Sequence, residues 1–196
     1  MGYTKLFAQL PFLSLVPGYL ELYVLPQYAP ALTSVSSSGL PRAAGAVLAL
    51  HVVAGVWIVV WGLASVGAKR KHYMEKARKD GEKDVDTRYA LPNLYVDGTS
   101  VHARAFNCCQ RSHQQVFESY TQFSVANLAG AICFPLTALL SASVWFLGRV
   151  TWAKGYAASE GDAKKRYTSP FSYGVWTGLL SSSILGLMSA AKITLG

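Results

Sequence analysis

Three long stretches of the chain carry no Asp, Glu, Lys or Arg: Ala43 to Ala68, Ser119 to Gly148 and Tyr167 to Ala191, of 26, 30 and 25 residues. At a rise of about 1.5 Å per residue, each is long enough to cross about 30 Å of hydrocarbon as a helix. Within the second stretch, Gly130 and Pro135 mark the end of one helix and the start of the next, joined near Phe134 and Pro135. A soluble core helix is seldom apolar on every face for this length. The pattern therefore predicts four spanning helices, near residues 44–67, 107–132, 136–158 and 169–193.

Residues 1–42 follow a different pattern. The stretch PFLSLVPGYLELYVLPQYAPALTSVSSSGLP is apolar but interrupted by Pro11, Pro17, Pro26, Pro30 and Pro41, which predicts short pieces rather than one continuous helix. It has neither the Arg-rich amphipathic pattern of a transit peptide nor the compact form of a signal peptide. The expected organisation is an apolar, Pro-broken extension at 1–42, acting as an interfacial or partner-binding arm, and an all-α, four-helix integral membrane bundle at 43–196 with a basic loop at 68–106.

Composition fits this picture. Hydrophobic residues make up 52% of the chain and charged residues 14%, against about 25% charged in an average soluble domain. With a mean hydropathy of +0.26, this excludes a disordered chain or a fibre. The net charge of +8 is unevenly placed: nine Lys or Arg fall between Lys69 and Arg104, and Lys164, Lys165 and Arg166 lie between the third and fourth spans. In a four-span bundle these two connections share one side, which the positive-inside rule makes cytosolic in the endoplasmic reticulum or matrix-facing in a mitochondrion. Six carboxylates interleave with those nine cations and no aromatic platform accompanies them, so the run KRKHYMEKARKDGEKDVD reads as a solvated loop and nucleic acid is not an expected partner. Three cysteines form neither a disulfide framework nor a zinc spacing, no metal is expected, and the adjacent Cys108 and Cys109 read as apolar packing.

Polar residues inside or beside the spans carry the candidate chemistry, because such groups are costly in a membrane and usually face a cavity or a partner. In FNCCQRSHQQVFESYTQF, the residues Arg111, Gln115, Glu118 and Gln122 recur at helical spacing and form one polar stripe, with His113 pointing away from it as a local hydrogen-bonding residue. On the next span Arg149, Trp152 and Tyr156 share a face. Together these offer cations for carboxylates, a carboxylate for an ammonium and an aromatic wall, a set suited to a small zwitterion. The same stripe also suits a salt-bridge network that only locks helices together, with Glu118 paired to an arginine.

The signature FNCCQRSHQQVFESY resembles the second helix of the membrane-associated proteins in eicosanoid and glutathione metabolism. Within that family it is most similar to the type 3 microsomal glutathione transferases. RYALPNLY, FLGRVTWAKGY and AKKR resemble the family's loop, third helix and cationic segment, so that about residues 44–194 are covered. The resemblance implies a homotrimer that binds glutathione as co-substrate near the cytosolic face while lipids or lipophilic electrophiles approach from the bilayer. It assigns Arg111, Glu118, Arg149 and Tyr156 to glutathione, with Gln115 where asparagine is usual and Trp152 in place of a tyrosine. Arg166 matches the arginine that stabilises the thiolate, with three extra residues before it, and Arg70 the arginine near the electrophile.

Two functions follow from these residues. One is a membrane glutathione transferase or peroxidase. The other is a non-catalytic accessory subunit of a larger membrane assembly, for example a mitochondrial respiratory complex, since a fold alone does not carry chemistry. A channel or transporter is less well supported: the polar residues lie on one side, and Gly174 to Gly178 is the main close-packing motif.

Overall fold

The structure, a computed structural model, describes Ala8 and residues 10–195; the rest of the expected arm's first nine residues lie outside the described ones. Helical turns at residues 11–28 form α1, followed by α2 (Ala44–Lys79), α3 (Val101–Cys133), α4 (Pro135–Ala157) and α5 (Gly174–Leu195). Apart from an isolated bridge between Val35 and Pro41, the described residues contain no β-structure. The stretches Ala44–Lys79, Pro135–Ala157 and Pro170–Leu195 are long and apolar enough to cross a membrane. The sequence predicts a fourth span in α3. That helix, of 33 residues, has the length, while Arg104, Arg111 and Glu118 make it less apolar than the other three.

The chain divides into two compact units. The first takes in residues up to Ala54, Ser119–Gly148 and the chain from Tyr173 onward. Here the chain breaks at Ala29 before Pro30, as the sequence predicts, whereas Pro17 and Pro26 are carried inside a run of turns. Residues 11–28 run as consecutive α- and π-turns, in which Val16 N–H donates to Pro11 O and Leu25 N–H to Leu20 O. Pro17 has no N–H to offer Leu13 O, four residues back, and Ser141 Oγ donates to that carbonyl at 3.3 Å. Glu21 fixes the helix from the same side. Its buried carboxylate accepts from Leu136 N–H at 2.7 Å, Thr137 N–H at 2.8 Å and Thr137 Oγ1 at 2.7 Å. Pro135 opens α4, so these are the first free amides of that helix, and Glu21 serves them as an N-cap side chain would.

A polar knot sits among apolar residues in this unit. Asn127 Nδ2 donates to Ala138 O at 2.9 Å and to Ser182 Oγ at 3.0 Å, which leaves its Oδ1 to accept from His51 Nε2–H at 3.0 Å. Phe123 stacks on Trp145 at 4.1 Å and on His51 at 5.3 Å. At the predicted close-packing motif, a Cβ on Gly174 would stand 2.6 Å from Val144 O and one on Gly178 2.7 Å from Trp145 N, so α5 approaches α4 at backbone contact.

The second unit comprises Gly55–Glu118 and Arg149–Ser172. The basic segment expected as a solvated loop is helical here: α2 continues to Lys79 rather than ending near 67. Lys, Arg, Met, Glu and Ala are good helix formers, Tyr73 and Ala77 bury one face, and Lys76, Arg78 and Lys79 occupy the last turn, where cations oppose the helix dipole. The true connection, 80–100, is held down by Val85, Tyr89 and Val96 in a core with Tyr73, Ala77, Phe106 and Cys109. Polar ties reinforce it: Arg88 to Glu82 at 2.9 Å and to Asp97 O at 2.8 Å, and His102 to Asp80 at 2.6 Å.

Tyr89 gives this core a pH limit. Burial, aided by the negative charge of Glu82, pushes its phenol up to about 12, against about 10 in an unfolded chain. The folded state thus keeps a proton that the unfolded state releases, so the stabilisation is complete below about pH 10 and is lost as pH rises toward about 12. Thermal midpoints measured in detergent across this range should fall more steeply for the native chain than for Tyr89→Phe.

Candidate functional site

The α3 helix supplies the floor of a cleft in the second unit, and it does so from further back than the signature suggests. Arg104, Asn107, Cys108 and Arg111 lie at i, i+3, i+4 and i+7 on one face, and with Tyr95, Tyr156 and Gly161 they line a cavity of about 330 Å³. Asn107 sets one wall: its Oδ1 accepts from Val96 N–H at 2.8 Å and its Nδ2 donates to Val96 O at 2.9 Å, which holds Tyr95 at the rim. The lining offers two guanidinium groups, two phenols and a thiol.

Of the residues singled out from sequence, Arg111 and Tyr156 line this cavity. Arg111 forms a two-pronged ion pair with Glu118, two turns along the same helix, with Nη2 donating to Oε2 at 3.0 Å. Both side chains are about half exposed to solvent, so the pair itself adds at most about 1 kcal/mol and is easily exchanged for another partner. Gln115 is half-buried on the same stripe. His113 donates from Nε2 to Ile58 O at 3.1 Å, in a local structural role.

The other predicted residues form a ladder beside the cavity. Buried Arg149 lies over the ring of buried Trp152 at 5.5 Å, Trp152 packs on Tyr156 at 4.9 Å, and Arg166 lies over Tyr156 at 5.6 Å and over Tyr167 at 4.9 Å. Such cation and aromatic contacts are worth about 0.5–2 kcal/mol each and fix the phenol of Tyr156 in place. The segment Ala163–Tyr167 is a 3₁₀ turn capped by Asp162, whose Oδ1 accepts from Lys164 N–H at 3.0 Å, and Arg166 Nη1 donates to Ala163 O at 2.7 Å. Gly155 makes the approach possible: a Cβ there would stand 2.7 Å from Lys165 O.

Arg70 stands apart from the cavity. It donates to Tyr89 O and to Leu94 O, each at 3.2 Å, and lies 4.5 Å over the Phe106 ring, so within the subunit it ties the 80–100 connection to α2. Sequence reading missed Arg104, Asn107, Cys108 and Tyr95. The signal was present: the polar stripe continues backward from Arg111 through Cys108 to Arg104 once the helix is allowed to begin at Val101 instead of 107.

No solved structure matches the chain. The sequence pattern of the MAPEG family matches residues 41–188, which include α2, α3, α4, the cavity and most of α5 but leave α1 outside. The match extends over about three-quarters of the 196 residues, and the chain belongs to the MAPEG family of helical membrane proteins.

Proposed function

We propose that the protein is a membrane glutathione transferase or peroxidase that presents the glutathione thiolate to lipophilic substrates dissolved in the bilayer. The observation that carries this reading is the cavity lined by Arg104, Arg111, Tyr95 and Tyr156. Glutathione has two carboxylates, an ammonium and a thiol. Arg104 and Arg111 answer the carboxylates, and Glu118, released from Arg111, answers the ammonium, so the ligand exchanges one exposed ion pair for several enclosed ones. The volume is at the lower end of the about 300–1,000 Å³ usual for small-ligand sites. Gln115 extends the polar stripe, and Arg149 and Trp152 hold Tyr156 from behind.

Chemistry requires the thiolate, since a free thiol has a pKa of about 8.5. Arg166 is the cation best placed to favour it, lying across Tyr156 at the edge of the cavity. A guanidinium about 4 Å from the sulfur at an effective dielectric of about 20 supplies about 4 kcal/mol of attraction. Half of that, after desolvation, lowers the thiol pKa by more than one unit, a unit being about 1.36 kcal/mol. Holding thiolate and electrophile together supplies the rest of the acceleration. In the homotrimer that the family implies, Arg70 is the arginine near the electrophile, and the basic connections face the cytosol or the matrix.

Arg166→Ala tests the assignment. Glutathione affinity should change little, while glutathione-dependent turnover of a lipid hydroperoxide or a hydrophobic electrophile falls about tenfold and its acid limb moves up by about one pH unit. Unchanged turnover and an unchanged pH profile would remove Arg166 from thiol activation.

One feature favours the second function, a non-catalytic accessory subunit of a larger membrane complex. Phe12, Tyr19, Tyr23 and Tyr28 of α1 are exposed, on a segment that lies outside the family match. Purification of the chain as a trimer with turnover supports the first reading, and purification only with other membrane subunits supports the second.

A further inference from the structure

A second cavity in the same unit, of about 540 Å³, is independent of the glutathione site. One wall is the stripe Trp61, Ala64, Ser65, Ala68, Lys69 and His72 of α2, and the other is Lys154, Ala157 and Ala158 at the end of α4. The space exists because four alanines face one another where larger side chains would fill it. Trp61 Nε1 donates to Ser112 Oγ at 3.1 Å, so the indole turns carbon toward the cavity.

The lining changes character along its length. Trp61 to Ala68 closes the charge-free part of α2, and Lys69 begins its basic part. One end of the cavity is therefore alanine and indole, and the other carries Lys69, His72 and Lys154. Among the described residues no carboxylate closes an ion pair with any of these three. Lys69 lies over the face of Tyr73, at 5.8 Å. Two lysines, Lys69 and Lys154, at the mouth of an apolar groove between spanning helices match an amphiphile with an anionic head, and lysine binds phosphate oxygens as a compact point charge.

We propose that this cavity binds the phosphate head of an anionic phospholipid, with Lys69, His72 and Lys154 around the phosphate and the first acyl carbons along Trp61, Ala64, Ala68 and Ala157. The apolar half distinguishes a lipid from free phosphate, which would leave it unfilled.

Native mass spectrometry of the full chain in detergent, with phosphatidylglycerol and phosphatidylcholine of identical acyl chains, tests this. The native chain should retain one phosphatidylglycerol with at least about tenfold preference. Lys69→Ala with Lys154→Ala should abolish the preference, and Lys69→Arg with Lys154→Arg should keep it. Ala68→Phe should abolish retention by filling the groove, while Lys71→Ala with Lys79→Ala, which removes the same charge from α2, should leave it intact. Equal retention of both lipids by the native chain overturns the proposal. So does loss of preference in the Lys71, Lys79 variant, retention unchanged by Ala68→Phe, or displacement of the lipid by millimolar inorganic phosphate. Glutathione affinity, measured on the same variants, should stay unchanged, which separates this site from the first.

Discussion

Arg111→Ala is expected to weaken glutathione binding by about tenfold or more, because a hydrogen bond to a charged group contributes about 1.5–3 kcal/mol and about 1.4 kcal/mol is tenfold. The loss should appear mainly in affinity, since Arg111 positions the peptide and does not touch the sulfur in the proposed mechanism. Arg111→Lys keeps the charge but loses the planar fork, so its affinity should fall between the two. Titration calorimetry in detergent reads all three. An Arg111→Ala chain that binds as tightly as the native one would return the Arg111–Glu118 pair to a purely structural role.

Glu21→Ala should lower stability by about 3 kcal/mol, since it leaves the Leu136 and Thr137 amides buried without acceptors at a helix N-terminus. For a chain of this size that corresponds to a fall of about 10 °C in thermal midpoint. Glu21→Gln retains one acceptor oxygen and should lose about half as much. A midpoint within about 1 °C of the native value for Glu21→Ala would show that α1 contributes nothing to holding α4.

Much of the fold is legible from where charge is missing. The runs at 43–68, 119–148 and 167–191 locate α2, the α3 to α4 junction and α5 because a buried or lipid-facing helix excludes ionised groups wherever it runs. Charge says less about where a helix ends. Lys69 to Lys79 continues α2 because helix propensity and two buried residues outweigh polarity, and α3 starts at Val101 because its first turns pack Ala103, Ala105 and Phe106. That misplaced start left Arg104, one of the four residues of the cavity floor, outside the expected helix. The prolines of α1 misled for a different reason. Proline weighs against a helix only when the lost hydrogen bond goes unreplaced, and at Pro17 the freed Leu13 carbonyl accepts from Ser141, more than 100 positions away. No local pattern announces such a partner, nor the meeting of His51, Asn127 and Ser182. For the site, spacing alone correctly grouped Arg111 with Glu118 and Arg149 with Trp152 and Tyr156. It did not show that Arg70 spends its donors on Tyr89 O and Leu94 O.

Glutathione binding by the native chain tests the central claim most directly. Calorimetric titration of the purified full chain in detergent should give a submillimolar dissociation constant with one glutathione per chain, weaker binding by the Arg111→Ala chain, and competition by S-alkylated glutathione. A native chain that is folded by circular dichroism and yet takes up no glutathione would contradict it.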